Sequence, residues 1–314
     1  MDVIYSENYN FDLGVLANLH PFEGLKFGKI HEALKDHPQV RFIEPEGPMS
    51  MDAIDQFLTD DMRQRVRDKD SVFDALEVPR LPFVSYAFLE ERILTPKRWG
   101  VAGTMLGASM VLDSGGTVWN LSGGYHHAMP QNMEGFCIYN DIGICHQQFI
   151  ANGLLAPDDR ILIVDTDAHH GNGNARTFME NRQVTLLDVY NELIYPIDEH
   201  TRERVDIPVP LAVGTEGETY LQQFEEALDL LEDDYRLAFV VAGTDTIHSD
   251  MLGCLKLTID DVAEREKTTL NALEKRGIPT VLTGAGGYSQ DCAAAVTRAI
   301  SVCVEAGLGR SIAL

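Results

Sequence analysis

The sequence predicts an α/β domain in which helices cover a mostly parallel sheet, and three observations predict it. Short apolar runs recur along the 314 residues, helix-length segments separate them, and polar clusters follow four of the runs. The runs are Val3–Tyr5, Val40–Ile43, Thr117–Leu121, Ile161–Val164, Val184–Asp188, Ala238–Ala242 and Thr280–Leu282. Most are nearly continuous in hydrophobicity, which suits strands buried on both faces of a parallel sheet. Strands alternating with helices then imply right-handed crossovers.

Taken in order, the first two runs open the sheet, and a charged stretch from Ser50 to Pro82 follows them. This stretch is expected to be helical to about Arg67 and then to become a proline-punctuated loop. The clearest helix runs from Thr258 to Arg276. Thr258 reads as its N-cap with Asp261 at the third helical position, and Gly277 and Pro279 end it. No internal repeat, low-complexity tract or linker interrupts the chain, so residues 1–314 read as one domain.

Lys and Arg number 25 and Asp and Glu 49, a formal charge of −24 without blocks of like charge. That balance argues against nucleic acid or an anionic membrane as a direct partner, and it suits a cationic substrate. The opening Met1-Asp2-Val3-Ile4-Tyr5 lacks the basic and apolar regions of a secretory signal. No run approaches the ~20 apolar residues of a membrane span. The five cysteines (Cys137, Cys145, Cys254, Cys292 and Cys303) never fall as CxxC, which disfavours a disulfide framework or a thiolate metal site. The cytoplasm is the expected compartment.

The chemistry sits in the four clusters. Ser122-Gly123-Gly124-Tyr125-His126-His127 follows the third run, and Asp165-Thr166-Asp167-Ala168-His169-His170 follows the fourth. Gly243-Thr244-Asp245 and Gly284-Ala285-Gly286-Gly287-Tyr288 follow the last two. In open parallel sheets ligands bind beyond the carboxyl ends of the strands, so four polar clusters at such ends should converge on one site. Asp165, Asp167 and His169 are spaced to point to one side of an extended backbone. An imidazole with one or two carboxylates suits zinc or a similar divalent ion, and Asp245 could complete the set. A lone Asp-x-Asp-x-His fits a helix cap with surface histidines equally well, but Asp245 and His126-His127 alongside favour the metal. Adjacent histidines cannot easily share one ion, so this pair reads as acid–base groups. Tyr288 offers a phenol donor to a carbonyl.

These clusters, in this order and spacing, resemble the zinc-dependent histone deacetylases, and within them the class IV type. The likeness extends through Tyr5-Ser6, His20-Pro21-Phe22, Leu89 to Gly107 with Arg92, Leu94 and Gly103, Asp188-Val189-Tyr190-Asn191, Ile194-Tyr195-Pro196 and Gly214-Thr215-Glu216. It implies a three-layer arginase-like fold with an eight-stranded, mostly parallel sheet, forming a histone-deacetylase-like catalytic domain over 1–314. It implies Asp167, His169 and Asp245 as ligands of one catalytic Zn2+, and a K+ ion near the Asp165, Asp167 and His169 carbonyls with Asp188 and Val189. His126 resembles the family's charged histidine, held by Asp165, and His127 resembles the general base. Tyr288 resembles the tyrosine that polarises the carbonyl. Gly135 and Phe136 resemble the tunnel position beside the substrate lysine, with Tyr195 and Leu252 as further walls. Asn172 stands where some members carry the aspartate that orients the base, so His127 is expected to be less basic than beside a carboxylate. Between Phe57 and Val66 there is no counterpart of the family's His-Thr-x-x-Tyr segment.

The implied activity is hydrolysis of an acyl-lysine amide, carrying either acetyl or a long acyl chain, with acetylpolyamines and other small amides as an alternative. A long acyl chain needs an apolar groove beyond the metal, for which Gly284, Gly286 and Gly287 could leave room. A two-manganese ureohydrolase shares the fold, but it needs a carboxylate where Gly171 stands. An acyl-lysine reader without activity would be expected to lose Tyr288 or a ligand, and both are kept.

Overall fold

A computed structural model describes residues 1–11 and 22–309. His20 and Pro21 lie outside the described residues. Eight strands form one sheet: β1 Asp2–Ile4, β2 Arg41–Ile43, β3 Thr117–Asn120, β4 Ile161–Asp165, β5 Val184–Asn191, β6 Ile207–Leu211, β7 Leu237–Val241 and β8 Thr280–Thr283. Their order is β2-β1-β3-β8-β7-β4-β5-β6, and every pairing is parallel. Seven of them coincide with the apolar runs to within a residue or two at most ends. β6 is the addition. Its sequence, Ile-Pro-Val-Pro-Leu, lacks an apolar run because Pro208 and Pro210 interrupt it, and it is tolerated because β6 lies at the edge.

The direction of each connection decides which face its helix covers. Connections stepping from β2 towards β5 carry the helices Thr95–Ser114 and Asp141–Asn152. Those stepping back carry Lys26–Leu34, Gly217–Leu228 and Ile259–Lys275. With right-handed crossovers the two sets fall on opposite faces, giving three layers. The central strands are consequently buried along their whole length. β3, β8, β7 and β4 are neighbours in the sheet, so the four polar clusters that follow them emerge side by side.

The stretch from Ser50 to Pro82 departs from expectation. It forms three short helices, Met51–Phe57, Asp60–Arg65 and Lys69–Ala75, so helix continues beyond Arg67. Ser50, Thr59 and Asp68 each cap one of them through the side chain. Val72 and Phe73 on the third are buried in a second apolar cluster, with Leu89, Ile93 and Ile138. That cluster buttresses the loop around residues 130–137: Thr59 N–H donates to the Pro130 carbonyl (2.9 Å) and Phe136 N–H to that of Ala75 (3.0 Å).

Thr258 and Asp261 form the expected capping box. The Thr258 hydroxyl accepts from Asp261 N–H at 3.1 Å, and the Asp261 carboxylate accepts from Thr258 N–H at 2.8 Å. Thr258→Ala should lower unfolding free energy by about 1 kcal/mol. A urea titration should show an earlier midpoint at unchanged slope, with Thr258→Ser restoring it.

Candidate active site

β4 ends at Asp165, and the chain then turns instead of remaining extended. Asp165 therefore parts from its neighbours. Its carboxylate faces His126 Nδ1 at 2.9 Å, whereas Asp167 and His169 meet Asp245. One donor atom from each of these last three lies within 4.8 Å of the others, and all three residues are buried. His169 Nδ1 is 3.0 Å from Asp167 Oδ1 and 2.8 Å from Asp245 Oδ2. The backbone holds both carboxylates: Ala168 N–H donates to Asp245 Oδ1 and Gly286 N–H to Asp167 Oδ2, each at 2.9 Å. A Cβ at Gly286 would lie 2.4 Å from Asp167 Oδ2, so no other residue allows this approach.

The donor set fits a divalent cation. Burial, then the neighbouring Asp167 carboxylate, pushes the Asp245 carboxyl up to about 7. Two buried acids this close resist ionising together unless a cation joins them. Two carboxylate oxygens and an imidazole nitrogen, with coordination positions left over, suit zinc or a similar ion.

The paired histidines are treated oppositely by their surroundings. Burial alone would lower the His126 pKa, but the Asp165 and Asp167 carboxylates outweigh it and push it up to about 9. His127 is held well below its ordinary range by burial and by the charges of His126 and His169. Its Nδ1 lies 2.7 Å from Asn172 Oδ1, and an amide adds no charge to offset the loss. Their surroundings thus favour the charged form of His126 and the neutral form of His127. Asp141 secures their loop: its carboxylate accepts from Gly124 N–H, Tyr125 N–H and the Thr104 hydroxyl.

Residues Glu134 to Cys137 form a tight turn, closed by Cys137 N–H donating to the Glu134 carbonyl at 2.9 Å. Gly135 and Phe136 both have positive φ, 54° and 64°. A Cβ at Gly135 would sit 2.4 Å from the His127 ring, so the turn packs directly on that imidazole. For phenylalanine this backbone is strained by about 1–2 kcal/mol. Two contacts hold it: the Phe136 N–H bond to Ala75, and Lys97 Nζ donating to the Phe136 carbonyl at 2.7 Å. Lys97 is itself buried, which lowers its pKa to about 8. The Tyr195 ring stands 5.4 Å from that of His127, and Tyr288 lies 5.6 Å from Phe136 and 6.4 Å from His169. Burial, then the Asp167 and Asp245 charges, holds the Tyr288 phenol protonated, well above its ordinary range. Leu252 is partly buried; its N–H donates to Asp250, whose other oxygen accepts from Tyr288 N–H and Ser289 N–H.

The histone deacetylase domain family matches residues 20–304. The chain belongs to that family. Histone deacetylase 2 of Arabidopsis thaliana is 29% identical over 316 aligned residues, covering 98% of this chain and 80% of that protein. Histone deacetylase B of Dictyostelium discoideum is 34% identical across 59% of this chain and 45% of its own length. The acetoin utilization protein AcuC of Staphylococcus aureus is 33% identical across 52% and 44%. The crystal structure of the HDA15 HD domain superposes with a TM-score of 0.75 over all of this chain and 92% of that one; at 18% identity this shows the fold.

Several groups in this histone deacetylase domain carry no motif of their own. Glu134, Asp141 and Asp250 are acids among 49, and only their position shows what each orients. Arg265, fully buried in the helix Ile259–Lys275, donates to the carbonyls of Thr166 and Gly243 and to the Thr246 hydroxyl. It ties together the two loops that carry Asp167 and Asp245. A basic residue on the apolar face of an amphipathic helix was the available signal.

If the three-residue cluster holds the metal, Asp245→Ala should release it. Elemental analysis per folded chain should fall well below that of the parent protein, and full occupancy would remove Asp245 from the site.

Proposed function

We propose that this chain is a zinc-dependent deacylase that hydrolyses the amide of an acylated lysine or a similar amine. The observation that carries the reading is one geometry: a buried Asp167–His169–Asp245 set beside a neutral His127 and a protonated Tyr288. A divalent zinc ion held there supplies Lewis acidity towards the carbonyl and acidifies water. His127 Nε2, the nitrogen that Asn172 leaves free, accepts the proton of the attacking water. As the C–N bond breaks, the same nitrogen passes that proton to the leaving amine. The products are a carboxylate and a protonated amine. The Tyr288 phenol donates to the oxyanion. His126, charged and held by Asp165, adds positive potential. The Gly135 carbonyl accepts the substrate N–H, and Phe136, Tyr195 and Leu252 flank the lysine stem.

A potassium ion fits near β4 and β5. Asp188 is opposite Asp165 in the register, and its Oδ2 accepts from Gly171 N–H and lies 2.6 Å from His170 Nδ1. Its Oδ1 is buried without a hydrogen-bond partner among the described residues, as a ligand to a cation would be.

The acyl end opens on a cavity of about 90 Å³. Gly286, His126 and Tyr288 bound it towards the metal set, and Leu76, Leu81 and Phe88 line it beyond. The second apolar cluster supplies one wall of it and Phe11, Phe22 and Phe27, from the larger cluster, another; of the three glycines near Tyr288 only Gly286 contributes. This apolar space favours medium or long acyl chains over acetyl, in keeping with the class IV likeness. Each buried methylene contributes about 0.8 kcal/mol at most.

On one peptide, kcat/KM should rise from acetyl- to octanoyl-lysine, with myristoyl-lysine and acetylated polyamines as further arms. A steady fall with chain length would end the long-chain reading. Tyr288→Phe should lower kcat by about 10²–10³ with zinc retained. His127→Ala should be nearly inactive at every pH, while His126→Ala should keep measurable turnover; the reverse order would exchange their roles.

A further inference from the structure

The base at this site is oriented by an amide, and an amide has two unlike ends. Asn172 is buried, with Oδ1 2.7 Å from His127 Nδ1 and Nδ2 2.6 Å from Glu134 Oε1. A carboxylate at this place would accept from the histidine whichever way it turned. An amide rotated by half a turn would instead present N–H to Nδ1. The histidine would then have to accept at Nδ1 and carry its proton on Nε2, where it could take none from water. In a serine-protease triad, replacing the orienting aspartate by asparagine installs that wrong tautomer and lowers kcat by about 10⁴. A chain that carries asparagine here as its own residue needs something to fix the amide.

Glu134 is placed to do so. An ionised carboxylate accepts and never donates, so only the Nδ2 end of Asn172 can face it. The carboxylate is itself fixed. Asn132 Nδ2 donates to Glu134 Oε2 at 2.6 Å, and the Arg65 guanidinium holds Asn132 Oδ1 at 3.0 Å. Its backbone opens the tight turn that Lys97 and Ala75 hold. We propose that Glu134 is a positioning residue: it locks the Asn172 amide with oxygen towards His127 and thereby keeps the base in its Nδ1-protonated tautomer. The inference rests on the reading of His127 as the base.

Three variants and two readouts test it on the zinc-loaded full chain. Glu134→Gln keeps the shape but brings a donor into a shell of donors, so the Asn172 amide loses its defined direction. ¹⁵N resonances of His127, assigned by its loss in His127→Ala, should move away from the Nδ1-protonated pattern, and kcat should fall about 10- to 100-fold. Asn172→Asp alone sets two carboxylates against each other and should also lose turnover. Combined, Glu134→Gln and Asn172→Asp place a donor against an acceptor again. The double variant should regain the wild-type ¹⁵N pattern and turn over faster than either single variant.

An unchanged ¹⁵N pattern in Glu134→Gln, or a double variant no better than the worse single, would overturn the proposal. A changed pattern with unchanged kcat would uphold Glu134 as the orienting group and instead remove His127 from the role of base.

Discussion

Four carboxylates are buried side by side: Asp165, Asp167 and Asp245 at or just beyond the carboxyl ends of β4 and β7, and Asp188 within β5 opposite Asp165. Burying charge is expensive unless it is compensated, and much of the surrounding structure supplies that compensation. Asp165 takes the His126 imidazolium, and Asp188 takes Gly171 N–H and the His170 ring. Asp167 and Asp245 share His169 and receive one backbone N–H each from loops that follow other strands. The compensation is incomplete without metal, which is why the same cluster reads as a cation site. Arg265 contributes by a different route, spending its donors on carbonyls while Glu266, equally buried, balances its charge.

The two apolar clusters divide the labour. The larger one fixes the sheet and so brings four strand ends into one crevice. The smaller one carries no group that touches the metal set. It supplies the wall against which Phe136 is held in a backbone that phenylalanine disfavours, and it lines the acyl cavity. Position of the tunnel turn and size of the acyl space therefore depend on the same side chains.

How much of this was legible in the sequence follows from how local each signal is. Continuous apolar runs mark buried parallel strands wherever they occur, and polar clusters after them mark the crevice. β6 was hidden because Pro208 and Pro210 remove the run that identifies a strand. The helix Lys69–Ala75 was hidden because its buried residues, Val72, Phe73 and Ala75, are too few to set a period against the charged background. Metal-set and histidine positions stood out by residue type. Glu134, Asp141 and Asp250 did not, since an acid that accepts from backbone or amide groups looks like any surface acid until its neighbours are known. The acyl space was expected from glycines near Tyr288, but only Gly286 of them lines it, and apolar side chains from Phe73 to Ile93 supply more of its wall.

The prolines of β6 have one further consequence. An outermost strand normally offers a row of N–H groups to any extended chain that comes alongside. Residues two apart in a strand face the same way, so Pro208 and Pro210 delete successive donors from one edge, and pairing with β5 leaves that edge the outer one. At the other end of the sheet β2 is only three residues long. Both margins are poor templates for a ninth strand. Both margins thus work against assembly by extension of the sheet and leave helices and loops as the better contact surfaces.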